Sequence, residues 1–426
     1  MKLTWVNHSS FLLEHGRTSL LCDPWIDGHV FDSSWAILAI PKFSYADFGR
    51  VTHIWFSHEH PDHFFPPNLQ KIAPEMRKRI TVLFQATAPG DGRVQKYCED
   101  LGFKTVVELH DDWYELDNDF QVLCQPVDRG DSWLAVRAAG KVLLNLNDCI
   151  YLSENDLVPI THSAGDVDVL ITQFSYASWW GNPMEEDRWR NAAQETLCKI
   201  RREVSVLHPK DVLLSSSYVF FCHQENSYMN KHMNRVSRAY QFLLDDGRCR
   251  PIVLYPGDEW LPGTSWDSSG ALSRYEADYD RALEDPVRVS SSTVPLGELL
   301  TAGNIFANKL QRINSAVLWR RLPTATINVT DHQVSLLLNR GGVRVITRLD
   351  DDEHDIALSS SALLYCLRFP WGGETLMING RFYSPAKGDR RRFFRWFSIA
   401  QSNNRGTYYD PAYYAKKIFT KVRKLI

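Results

Sequence analysis

A layered α/β fold followed by a smaller α+β unit is what this sequence predicts, and three observations predict it. Strand-like apolar runs alternate with amphipathic helical stretches through the first 260 or so residues. Residues of metal-ligating type fall just past the ends of those runs. Beyond residue 297 the texture changes to a long helix, a meander of strands and further helices, with no second cluster of such residues.

Composition narrows the class. At 426 residues the chain is long enough for two or three domains. With 44% hydrophobic and 23% charged residues it reads as globular rather than disordered or membrane-embedded. A formal charge of -3 gives no electrostatic case for nucleic acid. The opening MKLTWVNHSS is not a secretion signal, and no later run has the length and purity of an integral membrane segment, so a cytoplasmic location is expected. Eight cysteines are scattered without a C-x-x-C pair or the C-x-H of a Rieske cluster. They are expected as buried small side chains.

Residues 1–25 alternate short apolar stretches around Gly16 and end in LLCDPW, a pattern of antiparallel strands and an ordered loop. Asn7, His8 and Asp23 stand at strand ends, where they either close hydrogen bonds or support a pocket. Gly28, Phe31 and Trp35 continue a loop-rich region that could wall an entrance. VTHIWFS, residues 51–57, reads as a buried strand, and His58-Glu59-His60-Pro61-Asp62-His63 follows it at once. PPNLQKIAPEMRKR then suggests a helix, TVLFQAT a strand, VQKYCEDLG a helix and FKTVVEL a strand. FQVLCQPV runs into Asp128, and SWLAVRAAGKVLLNLND reads as two strands joined at Gly140 and ending at Asp148.

VDVLITQFS is the next strand and leads to Tyr176, Trp179 and Trp180, which form either core or pocket wall. NPMEEDRWRNAAQETLCKIRREV suggests a helix with acidic groups first and basic groups last. VLLSSSYV returns to strand character before His223, Glu225 and Asn226, and SYMNKHMNRVSRAYQFLL reads as a helix. PIVLYPGDEW presents Asp258 after one more strand. The expected division is a metal-binding domain over 1–262, a linker over 263–297 and an α+β accessory or substrate-binding domain over 298–426. RRRFFRW and the terminal KKIFTKVRKLI are basic and amphipathic, which suits a domain surface or subunit contact and also invites a peripheral membrane reading.

Four potential ligands within six residues have no economical role in a core, because each buried polar group demands a partner. His58, His60, Asp62 and His63 are therefore expected to bind metal, with Asp148 bridging two cations, Asp128 beside them and His223 completing the set from a distance. Asp258 could orient a ligand or help proton transfer, Glu225 could act directly or cap a helix, and Tyr176 could line the pocket.

H-E-H-P-D-H with Asp148 and His223 at long range resembles the metallo-β-lactamase superfamily over about residues 1–260. The resemblance implies an αββα sandwich in which His58 and His60 serve one metal, Asp62 and His63 the other, and Asp148 both. NHSSFLL, DPWIDG, ITQFSYASWW and FFCHQENSYMN resemble the branch of CMP-N-acetylneuraminate hydroxylase-like proteins. An acidic residue in place of a third imidazole, read here as Asp128, is similar to the di-iron oxygenase of chloramphenicol biosynthesis.

Extra carboxylate character favours iron over zinc or manganese, so the first expectation is a non-haem di-iron oxygenase. It would act on a small organic or carrier-protein-tethered substrate and draw electrons from an external reductase. The alternative is a dinuclear metal-dependent hydrolase of an amide, lactone or phosphoester. A third reading is a metal-stabilised ligand-binding protein, since SSSALLYCLRFPWGGETLMINGRF weakly resembles sterol-carrier-like domains.

Overall fold

The computed structural model describes residues 1–85, 92–127, 130–410 and 413. It divides into two compact units. The first comprises 1–177, 186–222 and 229–287, and the second 178–185, 223–228 and the chain from 288 onward.

Two seven-stranded mixed sheets form the centre of the first unit. In one, Lys2–Asn7, Ser10–His15 and Thr18–Cys22 run antiparallel, and His53–Phe56, Thr81–Phe84 and Thr105–Glu108 continue in parallel from Thr18–Cys22. Glu259–Trp260 closes the other edge. In the second sheet Arg250–Ile252, Asp211–Ser215, Val169–Gln173 and Lys141–Asn147 are parallel, while Ser132–Ala138, Phe120–Pro126 and Tyr114–Asp117 extend it antiparallel. This is the αββα sandwich.

Central strands such as Val169–Gln173 are buried at every position, because sheet covers one face and helix the other. That is why they read as unbroken apolar runs rather than as alternation. On the outer face of the first sheet, Leu12, Leu21, Ile54 and Val82 meet Leu69 and Cys98 from two flanking helices. The Ser132–Ala138 and Lys141–Asn147 hairpin turns through Ala139 and Gly140, both at positive φ as a two-residue turn with the strands' own twist requires.

Three stretches differ from expectation. The helix expected over 66–79 is two helices, Pro66–Lys71 and Pro74–Arg77, because Pro74 holds Ala73 in an extended conformation. The helix expected from Ser227 is a short 3-10 turn, Ser227–His232, and a separate helix, Val236–Asp246. Between them the buried Asn234 side chain donates to the carbonyls of Phe174 and Ala193 and so competes with helical pairing. Within 263–297, read as linker, Ser269–Glu284 is a helix of the first unit, and its buried Tyr275 accepts a hydrogen bond from Trp5 Nε1 at 3.1 Å.

The second unit has a four-stranded sheet in the order Gly342–Ile346, Val334–Asn339, Ala325–Val329 and Ile356–Leu358. Leu296–Ile313, Ser360–Arg368, Gly372–Asn379 and Arg390–Asn404 are its longer helices. The basic stretch 390–396 begins the last of these. Its Phe393, Trp396 and Phe397 are buried within the unit, with Phe397 stacked on Phe306, so that apolar face is already covered. KKIFTKVRKLI lies outside the described residues. Among the described residues no helix is long and apolar enough to cross a membrane.

Candidate metal centre

The ends of strands from both sheets meet at one rim of the sandwich. His58 follows Ser57 at the end of His53–Phe56, and Pro61 begins a tight turn in which the amides of His63 and Phe64 donate to the His60 carbonyl at 3.0 and 2.7 Å. That turn aims Asp62 and His63 beside His58. His8 comes from the reversal between the first two strands, Asp131 stands just before Ser132–Ala138, and Asp148 just after Lys141–Asn147.

Three overlapping groups of ligand atoms result, each with its atoms within 4.8 Å of one another: His58, His60 and Asp131; His8, Asp62 and His63; and His58, His63 and Asp148. His58 Nε2 lies 2.9 Å from His60 Nδ1 and 3.5 Å from Asp131 Oδ1. In the second group Asp62 Oδ2 is 3.2 Å from His8 Nε2 and 3.4 Å from His63 Nε2. His63 Nε2 is also 3.4 Å from Asp148 Oδ2, so Asp148 shares a group with one histidine of each other set. A dinuclear His/Asp metal-binding cluster is present.

The outer faces of the imidazoles are fixed. Ser57 Oγ pairs with His58 Nδ1 at 2.9 Å, and Asp23 Oδ2 pairs with His63 Nδ1 at 3.0 Å. Holding Nδ1 in this way directs Nε2 inward with its lone pair, the role that partners behind metal-ligating histidines fill. Asp23 is fully buried and also accepts from the Ser57 amide at 2.8 Å and from Asn147 Nδ2 at 3.0 Å. It therefore ties three strand ends from both sheets to one carboxylate. His8, Asp23 and Asn147 all have positive φ, an uncommon state that the surrounding structure must hold in place.

The donor set fits cations on two counts. Asp62 Oδ1, His63 Nε2 and His8 Nδ1 are buried without a hydrogen-bond partner among the described residues, a costly condition that a bound cation would relieve at the inward-facing atoms. The electrostatics point the same way. Burial opposes charge on His63, yet the carboxylates of Asp62, Asp148 and Asp23 outweigh it and hold its pKa well above the ordinary imidazole range. Burial likewise opposes charge on Asp62, but His63 and His8 hold its carboxyl well below the usual carboxylate range. The cluster attracts positive charge.

Not every residue expected here is in these groups. Asp128 lies outside the described residues. His223 belongs to the second unit, where its Nε2 pairs with Ser291 Oγ at 2.9 Å and its Nδ1 accepts from the Glu225 amide at 3.1 Å. Glu225 accepts from Arg381 Nε at 2.8 Å. Tyr176 donates its hydroxyl to the Met229 carbonyl at 2.5 Å and packs on Trp189. Asp258 accepts from the Tyr255 amide at 2.9 Å and from Arg274 at 3.0 Å.

Two residues of the groups escaped assignment as ligands. His8 is expected only to close hydrogen bonds at a strand end or to support a pocket, although NHSS is a run of polar residues inside apolar sequence and all four are buried. Asp131 follows Asp128 by three residues, and spacing alone does not choose between them. Phe31, expected near the entrance, does pack edge-on against His60, with ring centres 5.8 Å apart.

Residues 2–175, which carry most of the sandwich and all the grouped ligands, match the Beta-lactamase superfamily domain. A protein of Mycolicibacterium smegmatis named for a Rieske 2Fe-2S iron–sulfur centre is 30% identical over 197 residues, which are 44% of this chain and 36% of that protein. Cytidine monophosphate-N-acetylneuraminic acid hydroxylase of Danio rerio is 24% identical over 299 residues, 67% of this chain and 48% of the relative. The chain thus spans less than half the length of either relative. A UPF0173 metal-dependent hydrolase of Ruegeria sp. is 41% identical over 63 residues, 15% of this chain and 24% of its own. Among solved structures, CmlA, a diiron beta-hydroxylase from Streptomyces venezuelae, is similar with 19% identity over 61% of this chain and 53% of that one, at a TM-score of 0.43.

Proposed function

We propose that the chain is a dinuclear metal-dependent hydrolase acting on a small or carrier-tethered substrate. The observation that carries this reading is the position of Asp148, grouped with both His58 and His63, so that two cations would share one carboxylate. His58, His60 and Asp131 would hold one, and His8, Asp62 and His63 the other. Two such cations supply Lewis acidity and lower the pKa of water for attack on an amide, lactone or phosphoester.

The chain's own residues prepare that chemistry. Asp23 and Ser57 fix the histidine faces, which removes the cost of ordering them during reaction. Gln173 Nε2 donates to Asp148 Oδ1 at 3.4 Å and steadies the shared carboxylate. Phe31 shields one side of His60 from water.

A second reading, a di-iron oxygenase served by an external reductase, is favoured by one observation: the set around His58 and His60 is completed by the carboxylate of Asp131. Two imidazoles and a carboxylate suit non-haem iron, and the similarity to the sialic acid hydroxylase points the same way.

The test is to load metal-depleted protein with zinc, manganese or iron and assay ester, lactone, amide and phosphodiester panels with oxygen excluded. Turnover that chelator abolishes and metal restores is the expected result. No hydrolysis with any metal, together with reductant-dependent oxygen uptake by the iron form, would transfer the assignment to the oxygenase.

A further inference from the structure

The second unit contains a cavity of about 850 Å³, of the size of small-molecule sites. Helix Leu296–Ile313 forms one wall, and Leu367 to Pro370 with Ala400 and Tyr408 form the others. The helix carries two apolar stripes. Leu299, Gly303, Phe306 and Leu310 recur at helical spacing and are buried. Gly303 is required there, since a Cβ would come within 2.4 Å of Val343 on the sheet.

Ala302, Ile305 and Ile313 form the other stripe, with Lys309 in line, and all four face the cavity. Ile305 remains 64% exposed and Phe369 37%, and Phe369 stacks on Trp371 at 5.2 Å. Packing within this unit does not explain that stripe.

Charge at the cavity is one-sided. Arg368 and Glu298 pair with one another and cancel. Lys309 has no ion pair among the described residues and stands on the cavity wall. Asn404 also lines the wall, and its Nδ2 has no hydrogen-bond partner among the described residues, so rotation of the amide can present a donor. Apolar walls with an uncompensated cation and an available donor complement a molecule with an apolar body and a single anionic group.

We infer that this cavity binds an amphiphilic carboxylate, its chain along Ala302, Ile305 and Leu367 and its head group at Lys309.

The test is calorimetric titration of the full-length protein with dodecanoate, dodecanol and dodecyltrimethylammonium below their micelle concentrations, with sedimentation on the same samples. One site per chain is expected, with dodecanoate preferred. Lys309→Glu is expected to weaken dodecanoate at least tenfold, leave dodecanol within twofold and favour the cationic amphiphile. Ala302→Trp, which fills the cavity, is expected to abolish all binding while the thermal midpoint stays within a few degrees. Absence of saturable binding, or dodecanoate affinity unchanged in Lys309→Glu, would overturn the assignment. Binding accompanied by dimer dissociation would give the cavity to a second copy of the chain and overturn it too.

Discussion

Two buried clusters of histidine and carboxylate differ in how they are satisfied. In the first unit His8, His58, His60 and His63 meet Asp62, Asp131 and Asp148, and three buried atoms of that set have no hydrogen-bond partner among the described residues. In the second unit His223 and Glu225 are joined by Arg381, which donates to Glu225, Ser291 and Ser361 at 2.8 Å each. That cluster has its own cation built in. The two clusters thus separate one whose carboxylate is already met by a guanidinium from one whose buried His63 Nε2 and Asp62 Oδ1 have no hydrogen-bond partner among the described residues.

The largest effect that would sharpen this contrast is at Asp148. Asp148→Ala is expected to lose at least one metal equivalent and all metal-dependent turnover, measured by elemental analysis beside the activity panel. Next is Arg381→Met, which leaves Glu225 without its buried counter-ion and is expected to cost about 3–5 kcal/mol in urea unfolding. Metal content should not change. A loss of metal from that variant would break the distinction between the clusters.

Asp23→Asn acts through His63 and Ser57 rather than on the metal itself. It is expected to weaken metal binding about 10–100-fold, read by competition with a chromophoric chelator. The smallest effect is one of pH. Burial first, and then the charge of Arg381, push the His223 pKa down to about 4 from an ordinary 6.5. A histidine held neutral on folding adds stability above its unfolded pKa and loses it as pH falls from about 6.5 through about 4. His223→Gln should therefore flatten unfolding stability across that window, and an unchanged slope would show that His223 titrates normally.

Much of the first unit was legible because its signals are local. H-E-H-P-D-H is contiguous, and the strand before it, the hairpin at Gly140 and the helix after Pro183 each announce themselves within a dozen residues. Asp148 could be found because a carboxylate just past a strand end stands at the rim. His8 was harder, since it lies 54 residues from Asp62 and only the stacking of strands brings them together. Asp131 was hidden by another aspartate three residues before it in the sequence. His223, a histidine after an apolar strand, meets Ser291 and Arg381, which lie far along the chain. Pairing of that kind is a property of tertiary structure, not of spacing.

The most direct measurement is the metal content of two single variants purified in parallel with the parent protein. With the second ligand group closed by His8, His8→Ala should retain close to one metal per chain and His223→Gln close to two. Loss of a metal from His223→Gln, with both retained in His8→Ala, would contradict the assignment of the dinuclear site to residues of the first unit.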